Sequence, residues 1–199
     1  MEVVGILLAA GRGERFDATG RQLKLLQTRR SGPGSGVPLA LAAARALRTT
    51  VGTVIAVVRA GREPNQAHLR RLLQDAGCTV VDCAPGRRED EGMGRSIARA
   101  VAERPHAAGW IVALADMPAI DPATIAAVRT AIAAGAACAA PYFEGRRGHP
   151  VGFGAVCGAE LAALRGDQGA RAVLERHPML RIDVDDPGIL LDVDRAADL

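Results

Sequence analysis

Aromatic side chains are scarce in this chain: one Trp, one Tyr and three Phe make up 3% of 199 residues, while hydrophobic residues overall make up 49%. A core with so few rings must be built from Ala, Val, Leu and Ile, which favours helices and buried parallel strands over an aromatic-rich β-sandwich. The same scarcity removes the stacking platforms that hold single-stranded nucleic acid. The formal charge of +3, spread over mixed signs, is also too mild for a polynucleotide partner. Anionic small ligands suit this balance better. The four cysteines, Cys78, Cys83, Cys138 and Cys157, form no CxxC pair and have no His at zinc-ligand spacing, so they read as small buried hydrophobes of a reducing compartment. No apolar run approaches the ~20 residues of a membrane span, and Met1 leads straight into an apolar strand without a basic n-region or cleavage pattern. The expectation is a cytoplasmic protein with neither membrane nor nucleic-acid partner, folded as one domain over residues 1–199.

Two common nucleotide loops are missing as well. The dinucleotide fingerprint needs a third glycine where Phe16 stands, and an acidic residue closing the second strand, which instead runs into Arg59, Ala60 and Gly61. The mononucleotide P-loop needs Gly-Lys-Ser/Thr, whereas Gly13 is followed by Glu14 and Arg15. What is present is an apolar run, residues 3–8, that breaks at once into glycines and arginines. A continuous aliphatic run is what a strand buried on both faces requires. Gly11 and Gly13 let the backbone come close to a ligand, so that successive N–H groups cradle anionic oxygens. Arg12, Arg15 and Lys24 then supply full positive charge. A plain strand-to-helix turn with solvated arginines is the alternative.

Strands and helices alternate along the chain. Helices are expected at 38–48, at 65–77 with Asn65 as cap, from about Gly94 or Ser96, at 122–133 with Asp121 as cap, and at 169–176. Strands are expected at 53–58, 79–82, 110–115, 136–140, 151–153, 180–184 and 189–193. This alternation implies an α/β doubly wound parallel sheet with ligands at the carboxyl ends of its strands, and a mixed edge or small lid from Tyr142 onward. Asp116 follows the strand 110–115, at the edge where the glycine loop also emerges, where it can hold a hard cation or cap the following turn. Asp192 and Asp194, on one face of the last expected strand, are the second carboxylate source.

The order LAAGRGERF (8–16), KLLQ (24–27), GMGRSI (92–97), LADMP (114–118), GRRGHPVGF (145–153), GDQGAR (166–171) and LLDVD (190–194) resembles the molybdenum-cofactor nucleotidyltransferases. It is most similar to their cytidylyltransferase branch, and the resemblance covers nearly the whole chain. It implies a Rossmann-like nucleotidyltransferase fold, a three-layer sandwich around a mostly parallel mixed sheet, with CMP moved from CTP to molybdopterin and pyrophosphate released. It further implies that Leu8, Ala9, Ala10, Gly11, Arg12, Gly13, Arg15, Lys24 and Ser96 bind the nucleotide. Arg15, Lys24 and Asp116 would be catalytic. Mg2+ would be held by Asp116 with Asp194, favoured over Asp192, and the acceptor would meet Arg147, Gly148, His149 and Arg171. His149, flanked by glycine, is expected to be exposed. The alanine pair Ala9–Ala10 resembles the cytidylyl branch, whereas guanylyl relatives tend to carry glycines there. The dinucleotide product would pass to a molybdenum hydroxylase apo-enzyme. A guanylyltransferase using GTP, a nucleotidyltransferase for another phosphorylated small molecule, and a non-catalytic molybdenum-cofactor chaperone remain alternatives. The spacer between Arg15 and Lys24 is longer than usual, which makes Arg21 a second candidate for the lysine's task. Arg195, Ala196 and Ala197 replace the usual proline-acidic continuation, so the final helix of relatives is expected to be missing or very short.

Overall fold

The computed structural model describes residues 2–11, 13, 15–17, 22–32, 35–83, 92–167 and 169–199. In chain order its elements are β1 (Val3–Ala9), α1 (Leu39–Arg48), β2 (Val54–Arg59), α2 (Pro64–Asp75), β3 (Thr79–Cys83), α3 (Met93–Val101), β4 (Gly109–Leu114), α4 (Pro122–Ala133) and β5 (Cys138–Phe143). There follow β6 (Arg146–Arg147), β7 (Val151–Gly154), α5 (Gly158–Ala162), α6 (Arg171–Arg176) and β8 (Met179–Asp183). The strands form a sheet in the order β3-β2-β1-β4-β7-β5. β3, β2, β1 and β4 are parallel, β7 runs antiparallel between β4 and β5, and β8 lies parallel to β5 on its far edge. The result is a mostly parallel mixed α/β sheet, as expected.

Side-chain alternation along the buried strands builds two cores at once. Val3, Leu7 and Ala9 of β1 face α1, α2 and α4 through Ala44, Leu47, Leu69, Leu73, Ile125 and Val128. Val4 and Ile6 face the other way, onto Ile97 and Val101 of α3, Leu161 of α5 and Val173 of α6. Burying an aliphatic side chain of this size contributes roughly 1.5–3 kcal/mol each, so three layers form without aromatic anchors other than Trp110 and Phe153, both 1% exposed. All four thiols are free, and Cys78, Cys138 and Cys157 are buried. Burial pushes the Cys78 thiol up to about 11 and the Cys157 thiol up to about 12, which keeps them unreactive at neutral pH.

Three expectations need correction. Residues 189–193 do not form a strand: a 3-10 turn, Pro187–Leu190, and an extended segment occupy this stretch. The Asp186 side chain accepts from Gly188 N at 2.9 Å and turns the chain, while the edge of β5 that a last strand would need is already filled by β8. β7 is not at an edge. It is wedged into the middle, where a Cβ on Gly152 would come 2.6 Å from Ile132 and 2.8 Å from Val128. Asn65 lies inside α2, because Glu63 is its N-cap and Pro64 its first residue.

Parallel strands joined by helices bring their carboxyl ends to one edge of a sheet. β2 and β3 lie to one side of β1 and β4 to the other, so the chain order reverses between β1 and β4, the place where such sheets open a ligand crevice. The glycine loop leaves β1 there. Asp116 leaves β4 beside it, since the Leu8–Leu114 pair ends the ladder and Ala115 N donates to Leu8 O at 3.1 Å.

Candidate active site

The glycine loop closes on itself before it returns to the sheet. Gly13 has φ +64, the left-handed region in which a side chain is strained. Its carbonyl accepts from Phe16 N and Asp17 N at 2.9 and 3.1 Å. Asp17 then caps the way back, accepting from Gln22 N at 2.7 Å, and the chain enters a 3-10 turn, Lys24–Leu26. Leu25 is buried in the core under α1, and the Lys24 Cβ comes 3.5 Å from where a Cβ on Gly13 would lie. Lys24 is therefore anchored directly against the loop. Gly11 has open space around its Cα. Ala9 is 3% exposed and belongs to the core, whereas Ala10 is half-buried. Arg12 and Arg21 lie outside the described residues.

The Lys24 ammonium joins two carboxylates from distant parts of the chain. Nζ donates to Asp116 Oδ2 at 2.7 Å and to Asp194 Oδ1 at 3.4 Å, and Arg15 Nη1 donates to Asp194 Oδ2 at 3.2 Å. The Lys24 side chain is 10% exposed and that of Asp116 24%, whereas Arg15 is 80% exposed. The lysine pair is therefore little screened, while the arginine pair is worth at most about 1 kcal/mol. Asp192 is exposed, and its neighbour Val193 is buried. Of the two terminal aspartates, Asp194 is the one that meets Lys24.

Residues 184–194 bring Asp194 across the carboxyl edge of the sheet as a strap. Asp186, 8% exposed, is its anchor. Its Oδ2 accepts from Asp121 N at 2.9 Å and Thr124 Oγ1 at 2.8 Å, and its Oδ1 accepts from Gly188 N. Both carboxylate oxygens are thus spent on the start of α4 and on the strap's own turn. Gly188 must be glycine for this approach, as a Cβ there would sit 2.1 Å from Ala119 O. Further along, His149 N donates to Ile189 O at 3.0 Å and Val193 N donates to Asp116 O at 3.0 Å. The last turn, Ala196–Asp198, fixes Asp194 from behind, because the Asp198 carboxylate accepts from Asp194 N and Arg195 N at 2.9 and 2.7 Å. Those two N–H bonds hold the Asp198 carboxyl below its ordinary value. Asp186 and Asp198 escaped the reading of the sequence. The Asp-Pro-Gly at 186–188 is a turn signal that could have found the first of them.

The remaining residues fall into two groups. Gly148 belongs to the strap junction, since a Cβ there would come 2.4 Å from Ile189 O. Arg147 is exposed beside it on β6. His149 is not the exposed imidazole expected of a glycine-flanked loop: its backbone is tied to the strap, it is half-buried, and its Nδ1 is enclosed with no hydrogen-bond partner among the described residues. Burial lowers its pKa from 6.5, against the pull of Asp116 and Asp192, so the ring is neutral at pH 7. A depressed folded-state pKa contributes stability that is complete above the unfolded value and is lost as pH falls below it. The fall of Tm between pH 6.5 and about pH 5 should therefore be shallower in His149→Gln than in wild type, and equal slopes would remove His149 as the cause. Arg171 and Ser96 stand apart from the Lys24 cluster. Arg171 is exposed and paired with Glu175 at 3.0 Å. Ser96 is 5% exposed, and its hydroxyl donates to Gly92 O at 3.3 Å at the start of α3.

Among the described residues no three His, Cys, Asp or Glu side chains gather as a metal-binding group. The Asp116–Asp194 pair suits a different donor chemistry, that of a hard cation taking one or two carboxylates with the remainder from phosphate and water. Among the described residues no helix is long and apolar enough to cross a membrane.

The fold is similar to that of Rv0371c from Mycobacterium tuberculosis H37Rv, with a TM-score of 0.78 and 25% identity over 100% of this chain and 95% of that one. The same protein in complex with manganese gives a TM-score of 0.74 and 24% identity over 100% and 96%. The molybdopterin-guanine dinucleotide biosynthesis protein A from Archaeoglobus fulgidus shares the fold at a TM-score of 0.63 and 17% identity over 98% and 94%. No curated protein sequence matches the chain. The family model described as the MobA-like NTP transferase domain matches residues 5–181, from β1 into β8. With its glycine loop, Asp116 and most of the sheet inside that match, the chain belongs to the MobA-like NTP transferase family of nucleotidyltransferases.

Proposed function

We propose that the protein is a cytidylyltransferase that transfers CMP from CTP to molybdopterin, releases pyrophosphate, and hands the dinucleotide cofactor to a molybdenum hydroxylase. The observation that carries the reading is the convergence of Lys24, Asp116 and Asp194 beside the glycine loop at the carboxyl ends of β1 and β4. Asp116 and Asp194 already share one cation, and Mg2+ is the divalent ion their chemistry suits. When bound, it would neutralise charge on the reacting phosphates.

The chain's own groups do the rest. N–H groups of Ala10, Gly11 and Gly13 cradle the triphosphate, and Arg15 and Lys24 offset the charge that builds on the α-phosphate and the departing pyrophosphate. The terminal phosphate of the acceptor attacks the α-phosphorus in line, and a phosphate monoester dianion needs no general base at neutral pH. Arg147, Gly148 and His149 form the acceptor wall, with neutral His149 offering hydrogen bonds without adding charge next to Arg147. Arg171 is the weaker candidate there. Ala10 narrows the base pocket, which favours a pyrimidine over guanine.

Pyrophosphate release with CTP, GTP or ATP, Mg2+ and molybdopterin tests this reading. CTP should be the best donor, and release should require molybdopterin. Preference for GTP would overturn the cytidylyl assignment. Tight molybdopterin binding without release from any nucleotide would leave a carrier.

A further inference from the structure

We infer that Lys24 is a tethered counter-ion that keeps a divalent metal off Asp116 and Asp194 until a polyphosphate draws the ammonium away. The inference rests on the reading above in that it takes those two carboxylates as the metal's ligands. Nζ lies 2.7 Å from Asp116 Oδ2 and 3.4 Å from Asp194 Oδ1, so one oxygen of each carboxylate already faces a cation. Asp194 Oδ2 is taken as well, by Arg15 Nη1 at 3.2 Å. The four groups, two cations and two carboxylates, are neutral together. Beyond them, Asp198 is within electrostatic reach of Lys24, but Arg195 offsets it and its oxygens are spent on backbone amides.

Adding a divalent ion alone to this cluster places two further positive charges against Lys24, whose side chain is only 10% exposed, which opposes binding. Adding a polyphosphate alone pulls Lys24 and Arg15 from carboxylates that are then left to repel one another. Adding both resolves each conflict: the cations turn to the phosphates and the carboxylates to the metal. Lys24 is placed for this exchange, because its stem packs against Gly13 in the loop and its four side-chain torsions can redirect the ammonium without moving the backbone. By linkage, metal and polyphosphate must then raise each other's affinity by the same factor.

The test is the binding of Mn2+ to the full-length chain, followed by water-proton relaxation, which separates protein-bound metal from small complexes. Lys24→Met, close in size and uncharged, should bind Mn2+ alone at least about tenfold more tightly than wild type. Lys24→Arg should stay close to wild type, and Lys24→Met combined with Asp116→Asn should lose the gain. Equal or weaker binding by a folded Lys24→Met, judged by circular dichroism, overturns the inference. A second measurement needs no variant: inorganic tripolyphosphate should tighten Mn2+ binding to the wild type by at least about tenfold, and no tightening would overturn it equally. CTP-dependent product formation without either effect would remove the counter-ion role and leave the proposed reaction standing. Both effects without product formation would do the reverse.

Discussion

Asp116→Ala is expected to lower pyrophosphate release by about a thousandfold or more while the protein still folds. No core volume is lost, since the side chain leaves the end of β4 and points into the crevice toward Lys24. The structure adds a cost that deletion of a surface ligand would not carry. Lys24 is 10% exposed and would keep only Asp194, whose oxygen is the more distant partner at 3.4 Å. An ammonium left so enclosed with one weak partner costs about 1–3 kcal/mol, less than for a fully buried pair because Asp116 itself is 24% exposed. Asp116→Asn keeps a carbonyl oxygen for Lys24 but carries no charge for a metal, so its Tm should stay near wild type while activity falls as far as in the alanine variant. Comparing kcat and Tm for the two variants separates the roles. Activity near wild type in either one would remove Asp116 from the reaction.

Much of this site was legible in the sequence, and its limits have physical causes. The apolar run at 3–8 could only be a strand buried on both sides, and two cores flank it. Asp121 before Pro122 carried a cap signal that the structure repeats, with Ala123 N donating to Asp121 Oδ1 at 2.7 Å. The rule that ligands gather at strand carboxyl ends put Asp116 beside the glycine loop. It did not say that Lys24 would occupy the carboxylate, because that depends on how the loop folds back through Gly13 and Asp17. Asp192 and Asp194 were placed together on one face of an expected strand, whereas a strap pinned at Asp186 and Asp198 brings Asp194 to Lys24. His149 was misjudged because its neighbours in sequence read as an open loop, whereas its backbone is tied to Ile189, forty positions away in the chain, and the residue is half-buried. A buried aspartate such as Asp186 looks in sequence like any polar turn residue, and only its partners reveal it.

Those partners make Asp186→Ala the second large effect. The substitution leaves Thr124 Oγ1 and Gly188 N without their acceptor in a buried place and Asp121 N in a part-buried one, at a cost of about 3 kcal/mol. For a chain of this size that corresponds to a Tm lowered by about 6–12 °C. Function should suffer beyond stability, because the turn at Pro187–Leu190 is what carries the strap past Ala119 and Gly148 to the crevice. Without its anchor, Val193 has less reason to stay on Asp116 O and Asp194 on Lys24. Assayed well below its melting transition, Asp186→Ala should therefore lose at least about tenfold in kcat and bind Mn2+ with tripolyphosphate more weakly. Asp186→Asn should recover part of both, since its amide oxygen can still accept from Asp121 N and Thr124 Oγ1 while its NH2 meets the donor Gly188 N unfavourably. A variant that melts lower yet keeps wild-type kcat and metal binding when folded would show that Asp186 holds the start of α4 and nothing more. In that case the placement of Asp194 would rest on Asp198 and the Val193–Asp116 bond alone.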